Sequence, residues 1–342
     1  VSLAIAEGLK LPKGSRFSIG AVPAAIAGVA PTLDFRPALE RREIEAVSLT
    51  DKLTFTGGNQ GTFVGSDGFI QRAQTNVPRF THDPVTRRSL GMLVEPSGEN
   101  LLLRSEQFDI AGVWSVLNAT VTANTQLAPS GTTSAETLTD VNGITSANVG
   151  CFQSVALADT TTYAMSCYVK AGTKTTCRVG IRNKAGVNIL SNFYLSTVST
   201  TVGNAISSAI QNAGNGWYRC TAICPSVTGA ISQRGIVFMD EGSYTADGTG
   251  TIHVYGADLQ AGASPTSHIS TTTAAVTRTA DSAVIDGTGV ITGTYTMVEK
   301  PEGCAVISGT NINLQNGFTV ERVMIFPATL TAGQITAIRA AM

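Results

Sequence analysis

The sequence predicts an all-β fold organised around one antiparallel sandwich, and three observations carry that prediction. First, Asn100–Thr277 breaks into short segments rich in β-branched and aromatic residues, among them "CFQSVALADTTTYAMSCYVKAGTKTTCRVGIRN", "NFYLSTVSTTVGN" and "AGNGWYRCTAICPSV". Second, clusters of Gly, Asn, Asp, Ser and Pro separate these segments at the spacing of an all-β domain. Third, residues alternate within a segment. In "TYAMSCYVK" Tyr163, Met165, Cys167 and Val169 share one face, and Ala164, Ser166, Tyr168 and Lys170 share the other.

Four stretches follow in chain order. Residues 1–31 alternate apolar runs with Gly and Pro without a clean period. They read either as an extended attachment arm or as a plain β-hairpin on their own domain, because an isolated apolar arm cannot offset its ordering entropy. Residues 32–99 form a β-rich lead-in. Its Gly65-Ser66-Asp67-Gly68 is a hairpin turn able to supply positive φ, Asp83-Pro84 leads a second turn, and "PALERREIEAV" is the helix candidate. Residues 100–281 are the sandwich module. Residues 282–342 resemble the final strand and closing helix of a concanavalin or laminin-G type sandwich, with "VERVMIFP" as strand and Thr331 as N-cap before Ile335 and Ile338. Such folds need far more than sixty residues, so this tail is expected to complete a sandwich begun within 32–100, with a small trimmed subdomain as the alternative.

Composition narrows the function class. Charged residues make up 14% of the 342 and the net charge is −1, which gives no global attraction for a polyanion and argues against nucleic acid. Such a surface of hydroxyls and amides suits extracellular and virion β-proteins. The apolar run Ile19–Leu33 is broken by Pro23 and Pro31 and is too short to span a membrane. "VSLAIAEGLKLPKG" does not read as a signal peptide, so folding in a cytoplasm is expected. The six cysteines at 151, 167, 177, 220, 224 and 304 include no CxxC pair. They read as small buried apolar side chains rather than a zinc site.

One ordered series of motifs carries a resemblance. "FVGSDGFIQRA", "VPRFTHDPVT", "SLGMLVEPSGENLLLRSEQF", "YAMSCYVKAGTKT", "GNGWYRC" and "YGADLQAGASPTSHISTTTAAVTRTAD" together resemble a group of tailed-phage virion proteins of the tail-fibre, spike or head-appendage type. The likeness runs from about Thr32 to Asp281 and departs at "LTFTGGNQGTF" and "PSGEN", so no charge-based role is carried over at those two places. It implies a jelly-roll module similar to carbohydrate-binding modules, mounted on a phage particle and generally oligomeric. Modules of this type often tie their first and last strands through a carboxylate-bound Ca²⁺. The resemblance thus makes Glu106 and Asp258 the metal candidates, with ordinary solvated carboxylates as the alternative and no other cofactor implied.

A glycan site would use aromatic faces framed by amides and carboxylates. Strand alternation turns Tyr168 outward, and it turns Trp217 and Arg219 away from the Cys220/Ala222/Cys224 face. With Trp114 these are the glycan-binding candidates: Tyr168, Trp217, Arg219 and Trp114. For Trp217 and Trp114, plugging the sandwich edge is the competing reading. No catalytic motif appears, the histidines at 82, 253 and 268 are scattered, and no β-helix repeat is present. A non-enzymatic virion appendage subunit is therefore expected, assembled in the host cytoplasm. It would attach through its N-terminal arm, self-associate as a trimer and contact host-surface polysaccharide, without membrane insertion or nucleic acid. A purely structural decoration, collar or tail protein is the alternative, and a depolymerase with two carboxylates across a cleft is the third.

Overall fold

The computed structural model describes residues 33–35, 53–226, 228–229, 231–240, 242–286, 294–300, 304–308, 311–313, 318–320, 322–326 and 330–341. The expected arm at 1–31 and the helix candidate at 37–47 lie outside them. The described residues are all-β apart from one short helix, and the chain divides into two compact units.

The larger unit contains a jelly-roll sandwich of twelve strands. They are β1 (Ser115–Leu117), β2 (Ala119–Leu127), β3 (Thr133–Asp140), β4 (Gly150–Val155), β5 (Thr162–Ala171), β6 (Thr176–Arg182), β7 (Asn188–Tyr194), β8 (Ser199–Thr201), β9 (Ser207–Asn212), β10 (Trp217–Pro225), β11 (Gln233–Met239) and β12 (Thr251–Ala261). The first sheet has the order β9-β10-β5-β12-β3-β2 and the second β8-β7-β6-β11-β4-β1. Every pairing within them is antiparallel.

The period of two explains the core. Met165, Cys167 and Val169 of β5 point inward with Cys220, Ala222 and Cys224 of β10, against Cys177, Val179 and Ile181 of β6 and Val237 and Met239 of β11. All five described cysteines are buried free thiols. Burial pushes the Cys151 and Cys167 thiols far up, so they stay neutral and behave as small hydrophobes. A bulge between Ser166 and Tyr168 interrupts the β5–β12 register. Gly256 sits there at φ +57°, and a Cβ on it would lie 3.1 Å from Tyr168 and 3.3 Å from His268. Glycine is therefore required for conformation and for space.

Around the sandwich the same unit carries short pairs drawn from both flanks. Thr62–Val64 pairs with Ile70–Arg72 through the expected turn, where Gly68 has φ +82° and the Asp67 carboxylate accepts from the Phe69 N–H at 3.0 Å. Arg79–His82 pairs with Ser89–Val94, which pairs in turn with Phe318–Val320. Leu53–Thr56 pairs with Ser282–Asp286, and that strand with Asn311–Asn313. Gly98–Asn100 pairs with Val276–Arg278. Asn100 is fully buried and ties these segments together. Its amide donates to the Ala257 and Ile269 carbonyls at 3.0 and 2.8 Å, and its oxygen accepts from the Leu102 and Leu259 N–H groups at 3.1 Å each. No polar capacity of this side chain is wasted.

The smaller unit has a four-stranded sheet in the order Leu33–Phe35, Arg322–Phe326, Thr294–Lys300, Cys304–Ser308, with the helix α1 (Ala332–Ala341). Its start is a capping box: Thr331 Oγ1 accepts from the Gln334 N–H at 3.3 Å, and Gln334 Oε1 accepts from the Thr331 N–H at 2.9 Å. Ile338 is buried. No helix among the described residues is long and apolar enough to cross a membrane.

Candidate functional site

The outer face of the first sheet is where the predicted aromatic residues meet the lead-in. Tyr168 of β5 pairs in register with Arg219 of β10 on one side and with Tyr255 of β12 on the other. Alternation places all three on that outer face, together with Trp217. The lead-in and the loop after β12 then partly cover it. Ile70 of the lead-in packs on a cluster of Ala128, Ala135, Tyr168, Trp217 and Tyr255, and its N–H donates to the Pro129 carbonyl at 2.8 Å.

Burial bears on three of the expected positions, two of which the sequence also read as edge plugs. Trp217 is 0% exposed, with its indole N–H donating to the Leu127 carbonyl at 2.9 Å. It is a plug with no free ring face. Trp114 is likewise buried, its ring centroid 4.6 Å from that of Phe108 and its indole N–H donating to the Arg104 carbonyl at 3.1 Å. Tyr168, expected to look out to solvent, is 7% exposed and forms part of a groove floor. Burial pushes its phenol pKa up, against the pull of nearby Arg219. Strand alternation assigns a face correctly but says nothing of what a distant segment lays over it.

The metal candidates also stand differently from expectation. His268, 1% exposed, lies between them: its Nε2 is 3.3 Å from Glu106 Oε1 and its Nδ1 is 3.5 Å from Asp258 Oδ2. Burial alone would lower the imidazole pKa, but the bonds to Asp258 and Glu106 outweigh it and raise it. The same imidazole, with Arg72 at 3.2 Å, offsets the burial cost of Glu106 and brings its carboxyl down to about 2. A cation cannot join two carboxylates across an imidazole, so this pair does not fit a shared Ca²⁺. Among the described residues no group of three or more His, Cys, Asp or Glu side chains converges to hold a metal.

What the covering creates is a groove of about 630 Å³. Phe63, His82 and Leu90 of the lead-in form one wall, Ser207, Gln211 and Asn212 of β9 the other, and Tyr168, Arg219 and Thr221 the floor. Pro265 to His268 close one side. His82 is fixed because its Nδ1–H donates to the Val64 carbonyl at 3.1 Å. The adjoining Asp83 caps its own turn, accepting from the Val85 and Thr86 N–H groups at 3.0 and 2.7 Å. Those backbone bonds, from Thr86 above all, lower its pKa. Arg219 donates to Ser166 Oγ at 3.2 Å and to the Thr266 carbonyl at 2.9 Å, with its guanidinium carbon 5.9 Å from the centre of the Tyr168 ring.

Beneath one wall lies a buried ionic network. Arg79, 1% exposed, donates to Glu95 at 2.7 Å and to Asp281; Arg278 lies 3.8 Å from Glu95 and 3.6 Å from Asp281. Glu95 also accepts from the Ser267 N–H at 2.6 Å and the Ser267 hydroxyl at 2.7 Å. Thus Arg79, Arg278 and Asp281, which belong to the motifs carrying the resemblance, fasten the groove wall from behind.

Of the groove's polar contacts the sequence pointed to Tyr168 and Arg219. Phe63, His82, Gln211 and Asn212 come from separate segments with no local signature. Gly256 did leave a signal, a glycine inside a strand pattern, which marks a bulge.

No family model matches the chain, and no curated protein matches it. Among solved structures it is similar to the enzymatically active domain of tailspike protein 4 of bacteriophage CBA120, at 16% identity over 47% of this chain and 21% of that one, TM-score 0.30. It is similar to the CBM22-1–GH10 modules of Clostridium thermocellum endo-1,4-β-D-xylanase 10B, at 14% identity over 51% and 30%, TM-score 0.30. A third is the CBM22-1–CBM22-2 tandem domain of Paenibacillus barcinonensis Xyn10C, at 8% identity over 71% and 96%, TM-score 0.31. The chain spans less than a third of the length of the first two. At these TM-scores none of the three carries an argument about activity.

Proposed function

We propose that the chain is a non-enzymatic, glycan-binding subunit of a phage virion appendage, with the groove on the first sheet as its binding site. The observation that carries the binding role is the lining. An aromatic floor at Tyr168 is framed by the amides of Gln211 and Asn212, the hydroxyls of Ser207 and Thr221, and the guanidinium of Arg219, the mixture that saccharides select. The virion assignment rests on the sequence motifs from Thr32 to Asp281. Attachment through residues 1–31 and a trimeric assembly belong to the same proposal, and several copies would offset a weak single site.

The absence of catalysis is proposed from charge. Glycoside hydrolysis uses two carboxyl groups about 5–9.5 Å apart across the bond. Among the described residues lining the groove, Glu95 is the carboxylate present, and Arg79, Arg278 and Ser267 already occupy it. A purely structural role is the second reading, favoured by the burial of both tryptophans.

A glycan array probed with the purified chain, followed by calorimetry on any hit, separates the two. The binding reading expects a saccharide whose affinity falls at least fivefold in Gln211→Ala, with the melting temperature unchanged because Gln211 is exposed on an edge strand. No binding across host-surface saccharides would leave the structural reading.

A further inference from the structure

We infer that Arg219 makes the groove selective for anionic saccharides, those carrying a carboxylate or sulfate, over their neutral counterparts; this rests on reading the groove as a glycan site. The argument is a charge balance over the lining. Four of its side chains carry or can carry charge: Glu95, His82, His268 and Arg219.

Three of the four are already committed. Both oxygens of Glu95 are occupied, Oε1 by the Ser267 N–H and Oε2 by Arg79 and the Ser267 hydroxyl. His268 is buried between Glu106 and Asp258. His82 spends its Nδ1–H on the Val64 carbonyl.

Arg219 differs from all of them. Its Nε and Nη2 hydrogens go to the neutral acceptors Ser166 Oγ and the Thr266 carbonyl. Among the described residues no carboxylate forms an ion pair with it, and its Nη1 makes no hydrogen bond. Two neutral anchors hold the guanidinium plane rigid over Tyr168 while leaving its charge uncompensated. A pre-positioned guanidinium with a free amino group at the floor of the groove lacks only an anionic acceptor. Neutral sugars would use the amides and hydroxyls and leave that charge unmatched. Anionic ones would add a charge-assisted bond without any reorganisation of the arginine.

The test is an array on which uronate-, sialate- and sulfate-bearing oligosaccharides are each printed beside the same oligosaccharide after carboxyl reduction or desulfation. The wild-type chain is expected to prefer the anionic member of a pair tenfold or more, the preference shrinking as salt is raised. Arg219→Gln is expected to bring the pair ratio close to one by weakening the anionic member more than the neutral one, and Arg219→Lys to retain part of it. Carboxylate and sulfate pairs report separately which anion fits.

Equal affinity for both members in the wild-type chain would overturn the inference and leave the glycan site standing. Binding to no saccharide would remove both. Should Arg219→Gln weaken both members equally and lower the melting temperature, Arg219 is a structural tie to Thr266 and the inference fails.

Discussion

Between its two six-stranded sheets the larger unit is filled by thiols, aliphatic side chains and aromatic rings, Cys151, Cys167, Cys177, Val179, Phe193, Cys220 and Val237 among them. Where the lead-in is fastened behind the groove, the buried groups are instead Arg79, Arg278, Glu95, Asp281 and Asn100. Both regions are shielded from water, yet they respond to opposite rules. An apolar interior is non-directional, so it sets a volume and tolerates exchange of similar shapes. A charged seam has already met the desolvation cost of each ion, so it holds only if every partner is in place. The sandwich supplies bulk stability, and the seam decides where the lead-in sits and hence the shape of the groove.

That contrast can be broken or sharpened by mutation, starting at the seam. Arg79→Ala leaves the two buried carboxylates Glu95 and Asp281 to share Arg278 alone and should cost about 3–5 kcal/mol in urea or thermal unfolding. A cost below about 1 kcal/mol would show that the seam is solvated after all.

The next effect tests a carboxyl set into the sandwich. Glu136 is 2% exposed and accepts from the Phe108 N–H at 2.7 Å; burial, then Asp109 beside it, pushes its pKa from 4.5 up to about 8. Its folded pKa lies above the unfolded one, so its favourable contribution is complete below about pH 4.5 and is lost as pH climbs to about 8. Glu136→Gln mimics the protonated form. Melting curves should coincide for variant and wild type near pH 4 and separate in favour of the variant by up to about 4 kcal/mol at pH 8. A pH-independent difference would mean that Glu136 is ionised in the folded chain.

The smallest effect belongs to the thiol core. Cys220→Ala removes one buried sulfur from a closely packed but non-directional site and should cost about 1 kcal/mol. Were that loss as large as the one at Arg79, the two regions would not differ in kind.

Legibility in the sequence followed the same division. Alternation in "TYAMSCYVK" and "GWYRCTAIC" named the inward faces of β5 and β10 correctly, because side-chain period is a local property of any strand. The turn at Gly65–Gly68 and the cap at Thr331 were readable for the same reason, each being settled within four or five residues. Glu106, Asp258 and His268 were each visible, but not that the imidazole stands between the two carboxylates, since Glu106 and His268 are 162 positions apart. Nor could Trp217 be assigned a covered ring from its own strand, because the carbonyl that holds it belongs to Leu127, 90 residues away.

By itself, then, the sequence determined the all-β class, the strand faces, the turns and the choice of small apolar thiols for the core, all of which follow from backbone geometry over a few residues. Only the tertiary structure decided that the lead-in lies over the first sheet, that both tryptophans are plugs, and that Arg219 is left as an unneutralised charge on a groove floor. Those outcomes depend on which distant groups desolvate one another, and desolvation is a property of the packed chain rather than of any segment of it.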